Sequence, residues 1–295
     1  MLDPNSAREL LRHRTYAPEL CLTLNGETFD LSRRRRIMAV VNLSPDSPYP
    51  ESVAHSPLEA RRLTRMARDS GADIVELGLE STVPGSQLLD APKQIQRLLP
   101  ALELCLDLDI EIAVETRHAE VVEKAMRLGA KVVNLVSYAQ YKPAFDSIAR
   151  YDGAAILPYL PVTSPALGRY TLPQHHMEAS SQIDNLSMRI NQARNAGVRQ
   201  CIVDPGVGFA FDIYGGKSRT SYQLSQYLQL HQLNALHVPI LATLVHAPSV
   251  FSGAYRRLAE PIMAVLAMIG GVNLLRTHET GAVEAVRKLM DNFDM

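Results

Sequence analysis

The stretch Ile37-Met38-Ala39-Val40-Val41-Asn42-Leu43-Ser44-Pro45-Asp46-Ser47 decides how the whole chain is read. It starts as five apolar residues, turns polar at Asn42, and runs into the turn formers Ser44, Pro45, Asp46 and Ser47. A short apolar run so bounded predicts a strand buried on both faces. That strand delivers Asn42 to its carboxyl end and leaves as a loop. Several later apolar runs end the same way, on a polar residue.

Working outward, apolar strands alternate with amphipathic helices from Ile37 to the end. Strands are predicted over 37–41, 73–78, 110–115, 131–136, 154–160, 200–204, 238–244 and 272–276. Helices are predicted over 58–70, 91–106, 119–128, 143–150, 176–196, 220–236, 257–269 and 282–290. Glycines stop several helices, among them Gly71, Gly129 and Gly197. Such alternation demands right-handed parallel crossovers. Eight units in ~250 residues match a (β/α)8 TIM barrel. No GxGxxG follows the first strand, so a dinucleotide-type open sheet lacks support.

Residues 1–36 read as an N-terminal extension to a barrel domain over 37–295. A short helix is predicted over 4–13. A hairpin around Asn25-Gly26 is placed to close the barrel bottom. Arg33 to Arg36 form a basic cluster, read as a solvated approach to the first strand.

The chain has 295 residues, 46% hydrophobic and 21% charged, with 30 Lys plus Arg against 31 Asp plus Glu. Nothing in that balance favours nucleic acid or an anionic membrane as a partner. No apolar run approaches the ~20 residues of a membrane span, and residues 1–15 lack the apolar core of a signal peptide. Cys21, Cys105 and Cys201 match neither a zinc site nor a redox pair, so free thiols and a cytoplasmic location are expected. The histidines show no zinc-site spacing.

The longest loops, 43–57, 79–90, 161–175, 205–219 and 246–256, all follow strands. In a barrel they lie at the mouth where active sites form. Converging there are Asn42, Glu76, Glu115, Asn134, Asp204, Arg276 and His278. Carboxylates accept from ring N–H and amino groups, Asn donates and accepts, and Arg stacks or binds anions. Together they suit a flat heterocycle rich in hydrogen-bonding groups. Val203-Asp204-Pro205-Gly206-Val207-Gly208-Phe209 brings a tight backbone beside an acid, and Glu80-Ser81-Thr82-Val83-Pro84-Gly85 offers hydroxyls and amides for an anion.

The order NLSPDS, GLESTVPG, AVET, VVNLVS, VDPGVGF, RTHE resembles that of the dihydropteroate synthase family, from Ile37 to the C-terminus. The resemblance implies a homodimeric TIM barrel that binds a hydroxymethyl-dihydropterin diphosphate, expels diphosphate with Mg2+, and joins the pterin to an aromatic amine. It implies catalytic roles for Asn42, Asp204, Arg276 and His278, with the pterin held by Glu115, Asn134, Asp204 and Arg276. Asn42 and His278 would face the diphosphate and Asn42 the metal. Ser44, Asp46, Ser81 and Thr82 would belong to the amine and diphosphate loops.

The chain departs from the family pattern at several of these positions. Val83 stands where the family has Arg, 245–250 lacks the family's Lys, Glu115 replaces Asp, Leu135 follows Asn134, and Pro48 replaces Phe. Losing two cations would weaken diphosphate binding by roughly 100-fold, with His246, Arg169 and Lys217 as candidate replacements. The amine is therefore 4-aminobenzoate or a bulkier aminobenzene, as in tetrahydromethanopterin synthesis. Two other readings share the pattern: a non-catalytic or regulatory pterin binder, and a pterin-dependent methyltransferase component.

Overall fold

The computed structural model describes residues 20–32, 34–47, 49–80, 88–137, 141–160, 171–172, 178–208, 212–213, 219–245, 251 and 253–292. The helix expected over 4–13 lies outside them.

Strands β1 (Cys21–Leu24) and β2 (Glu27–Asp30) form the expected antiparallel hairpin. Asn25 (φ 49°) and Gly26 (φ 83°) turn it with positive φ at both central positions, the hairpin geometry that Asn-Gly favours. Eight parallel strands follow in one sheet: β3 (Arg36–Asn42), β4 (Ile74–Gly78), β5 (Glu111–Thr116), β6 (Val132–Leu135), β7 (Ala154–Pro158), β9 (Gln200–Asp204), β11 (Leu241–Thr243) and β12 (Leu274–Thr277). The sheet order is β11-β12-β3-β4-β5-β6-β7-β9. A bridge between Val203 and Ile240, with the Val203 N–H donating to the Pro239 carbonyl at 2.9 Å, brings its two ends together. The eight-stranded (β/α)8 barrel expected from the alternation is the fold. Two-residue strands β8 (Thr171–Leu172) and β10 (Asp212–Ile213) pair in parallel, tying two mouth loops that sequence periodicity left unstructured.

The helices are α1 (Pro57–Asp69), α2 (Ala91–Leu106), α3 (Ala119–Leu128), α4 (Tyr141–Arg150), α5 (Ala179–Asn195), α6 (Arg219–Gln229), α7 (Ala259–Ile269) and α8 (Thr280–Asp291). Their starts are written locally. Ser56 accepts from the Glu59 N–H at 3.2 Å and Asp90 from that of Lys93 at 3.0 Å, satisfying first-turn donors. The single helix expected over 220–236 instead gives way to a 3-10 turn over Leu230–Leu236. Leu98, Leu102 and Cys105 on α2 and Val121 and Ala125 on α3 pack outside the sheet against Val75, Leu77 and Val114. All three cysteines are free; Cys105 and Cys201 are buried and Cys21 is exposed.

Strand side chains alternate between faces, so residues paired in register share one. Inside the lower end, Met38, Ile74, Ala113, Val132, Ala154, Ile202, Leu241 and Leu274 pack with the hairpin residues Leu20, Leu22, Leu24, Phe29 and Leu31. Arg36, which opens β3, is not simply solvated. Arg36 ion-pairs with Asp73 at 2.8 Å and lies 4.7 Å over the Phe29 ring, because β3 and the hairpin enclose its stem. Among the described residues no helix is long and apolar enough to cross a membrane.

Candidate active site

Two residues beyond that apolar layer, the same inward parity carries Glu76, Glu115, Asn134, Asp204, Thr243 and Arg276. Registers fix the neighbours: Gly78 pairs Glu115, Glu115 pairs Asn134, Pro158 pairs Asp204, and Thr243 pairs Arg276. Glu76 is fully buried, and Glu115, Asn134 and Asp204 nearly so.

Arg276 is the hub. Its Nε donates to Glu76 Oε1 at 2.7 Å, and its terminal nitrogen donates to Glu76 Oε1 and, at 2.8 Å, to Glu115 Oε2. The Asn134 amide donates to Glu76 Oε2 at 3.0 Å and to Glu115 Oε2 at 3.4 Å. Its Oδ1, also buried, has no hydrogen-bond partner among the described residues. Asn134 therefore joins the cluster and leaves one buried acceptor for a ligand donor.

Asp204 is held from the loop that follows it. Its Oδ1 accepts the Gly206 N–H at 2.8 Å, and the Thr243 hydroxyl donates to Oδ2 at 3.5 Å. The Gly206 φ of 76° lets that amide turn back on the carboxylate, a conformation costly with a side chain. Burial pushes the Asp204 carboxyl up to about 6, partly offset by the Gly206 amide and Arg276. Burial pushes Glu115 up to about 8, opposed by Arg276 and aided by the charges of Glu76, Glu80 and Asp204. Burial alone would lower Arg276, but Glu76 and Glu115 outweigh it and hold the guanidinium above its ordinary value.

The first strand ends beside this cluster. Asn42 donates to Ser52 Oγ at 2.7 Å, which donates to the Tyr49 carbonyl at 2.9 Å. A Cβ at position 78 would sit 3.0 Å from Asn42 Oδ1, so Gly78 leaves room for that side chain. Ser44 is buried and accepts the Asp46 N–H at 3.4 Å, while Asp46 is exposed on the turn. His278, at the end of β12, stacks on Tyr49 with centroids 3.7 Å apart. Its Nδ1 meets Glu260 Oε1 at 3.1 Å.

The structure thus brings Glu115, Asn134, Asp204 and Arg276 together, with Asn42 and His278 at the mouth. Ser81, Thr82 and Val83 lie outside the described residues, as do Pro48, Arg169, Lys217 and His246. Sequence reasoning assigned no role to Glu80, Arg117, Thr243, Tyr49 or Glu260. Arg117 pairs with Glu80 at 2.6 Å, and Glu80 also accepts the Leu89 N–H at 2.5 Å, tying the ends of the loop after β4. Strand parity could have found Thr243; the others depend on partners distant in sequence. No cluster of three His, Cys, Asp or Glu side chains able to hold a metal occurs among the described residues.

A family model described as "Pterin binding enzyme" matches residues 38–278. A dihydropteroate synthase of Synechocystis sp. is 27% identical over 281 residues, covering 90% of this chain and 93% of that protein. A probable bifunctional folylpolyglutamate synthase/dihydropteroate synthase of Halobacterium salinarum is 29% identical over 268 residues, covering 86% of this chain and 31% of that longer protein. The crystal structure of dihydropteroate synthase from Thermus thermophilus in complex with 4-aminobenzoate matches at TM-score 0.78 and 28% identity, over 92% of this chain and 99% of that one. The chain belongs to the pterin-binding enzyme family, among relatives that are dihydropteroate synthases.

Proposed function

We propose that the protein is a dihydropteroate-synthase-type transferase, joining a hydroxymethyl-dihydropterin diphosphate to 4-aminobenzoate or a bulkier aminobenzene. The observation that carries this reading is the buried Glu76–Glu115–Asn134–Arg276 cluster, whose Asn134 Oδ1 has no hydrogen-bond partner among the described residues. Asp204 and Glu115 accept from the amino and ring N–H groups of the pterin, and Asn134 Oδ1 accepts a further donor. The pterin methylene C–O bond breaks with its electron pair leaving on diphosphate. The amine lone pair then forms the new C–N bond, and the amine proton passes to solvent. The Glu76 and Asp204 carboxylates, with Glu115 beside them, stabilise the developing methylene cation in a dry, preorganised site.

A bound Mg2+ would supply charge neutralisation for the leaving diphosphate. Asn42 is the residue that would hold it. Its Oδ1 is a hard oxygen with no hydrogen bond among the described residues, and Mg2+ takes most other ligands from phosphate and water. We assign His278 to the diphosphate, and Ser44, Asp46, Ser81 and Thr82 to the loops that serve the amine and the diphosphate. We also assign a hairpin-bearing extension over 1–36, a cytoplasmic location and a homodimer. Supporting the dimer, Tyr255, Leu258 and Ile262 leave an exposed apolar face along the start of α7.

The test is incubation with the pterin diphosphate, Mg2+ and a panel of aromatic amines, following diphosphate release beside calorimetric pterin binding. Amine-dependent release supports the proposal. Binding without turnover on any amine replaces it with a non-catalytic binder, and absence of binding overturns the site assignment.

A further inference from the structure

Glu260 is fully buried at the start of α7, yet it accepts from three consecutive residues at the end of β12. The Thr277 hydroxyl donates to Oε2, as do the N–H groups of His278 at 2.8 Å and Glu279 at 3.1 Å. The remaining oxygen, Oε1, meets His278 Nδ1 at 3.1 Å. An oxygen acceptor at that nitrogen requires Nδ1 to carry the proton. The opposite face of the imidazole is fixed by the Tyr49 ring, 3.7 Å away at an interplanar angle of 17°. Tyr49 is itself tied through Ser52 to Asn42. One chain of contacts therefore runs from the end of β3, across the first mouth loop, to the ring at the end of β12.

We infer that Glu260 is a positioning residue: it holds the His278 ring in one orientation with Nδ1 protonated at the diphosphate end of the mouth. The inference rests on the proposed function for the identity of that anion, but not for the ring geometry. Other charged groups around the pair are Glu51, Arg257 and Glu279, which line an adjoining cleft of about 340 Å3 with His278 and Tyr49. Arg257 and Glu279 pair with each other at 2.8 Å, and among the described residues Glu260 is the carboxylate that meets the ring.

The test compares the full-length wild type with Glu260→Gln, Thr277→Val, His278→Asn and the Glu260→Gln/His278→Asn double variant. Long-range 15N spectra read the His278 tautomer, and calorimetry reads binding of the pterin diphosphate with Mg2+. The expected result is a protonated Nδ1 in wild type, lost in Glu260→Gln, with affinity about tenfold weaker. Thr277→Val, which removes a different donor from the same carboxylate, lowers stability without changing the ring signature. In the His278→Asn background Glu260→Gln changes affinity less than about twofold. Glu260→Asp, which withdraws the carboxylate by one methylene, replaces the Gln variant if that fails to fold. An unchanged tautomer, or an equal affinity loss with and without His278, overturns the inference. If wild type does not bind the pterin diphosphate, the proposed function falls and the spectra alone decide what Glu260 does.

Discussion

The barrel interior holds two layers of opposite character, one pleat apart on the same strands. The lower is wholly apolar, from Met38 and Ile74 round to Leu274, and is covered by the hairpin. The upper, roughly 7 Å further along the strands, holds Glu76, Glu115, Asp204 and Arg276. Each apolar side chain in the lower layer stabilises the fold by about 1.5–3 kcal/mol on burial. In the upper layer desolvation consumes much of what pairing returns, and a buried ion pair is weak support for a fold. Stability and ligand chemistry are thus separated along the barrel axis. The strands are anchored by one layer so that the other can carry charges that would not hold the sheet together by themselves.

The sharpest way to break this comparison is Arg276→Met. It leaves three buried carboxylates without their cation, so it should cost about 3–5 kcal/mol in urea unfolding and abolish calorimetric pterin binding together. Ile202→Ala, one pleat below Asp204, should cost about 2–5 kcal/mol of stability while pterin affinity stays within about twofold. A loss of both in Ile202→Ala would show that the layers are not separable.

The pH dependence separates them further. Glu115 and Asp204 titrate above their ordinary values in the folded state, at about 8 and about 6. The folded protein therefore binds more protons than the unfolded chain. The contribution of these two groups to stability is greatest below the ordinary carboxylate range, falls as pH rises toward about 8, and is flat once both have lost their protons. Unfolding at stepped pH should show a loss on the order of 2 kcal/mol between pH 6 and 8, absent in Glu115→Gln. The smallest effect belongs to the hairpin. Gly26→Ala meets no neighbour, so only the strain of its φ of 83° remains. Thermal melts should show a loss of about 1 kcal/mol with binding unchanged.

The fold was legible because the barrel strands are short apolar runs and helices such as α1 carry their own start and stop, the Ser56 cap and Gly71, whose φ is 102°. The inward polar residues were legible as strand-end exceptions to apolar runs. What joins them was not. Arg276 and Glu76 are 200 residues apart, and no periodicity reports a pairing that only barrel closure creates. Glu260 stands in an apolar helix as an isolated acid, and its four donors come from a strand end 17 to 19 residues on. The ribbon of β8 and β10 offers two residues per strand, too few for an alternation to register.

Closure of the sheet depends on the contact between Val203 and the 239–240 segment, a single bridge where other neighbours share three to five paired positions. A cylinder joined this way has a seam. Local opening should begin there, because few backbone hydrogen bonds need break. The seam lies next to Asp204 and close to Thr243, so the wall that opens first is the one carrying the Asp204 carboxylate. Amide exchange at Val203 should outpace that at Val40 on β3. A ligand gripping Asp204 would slow it, acting as a clasp across the join.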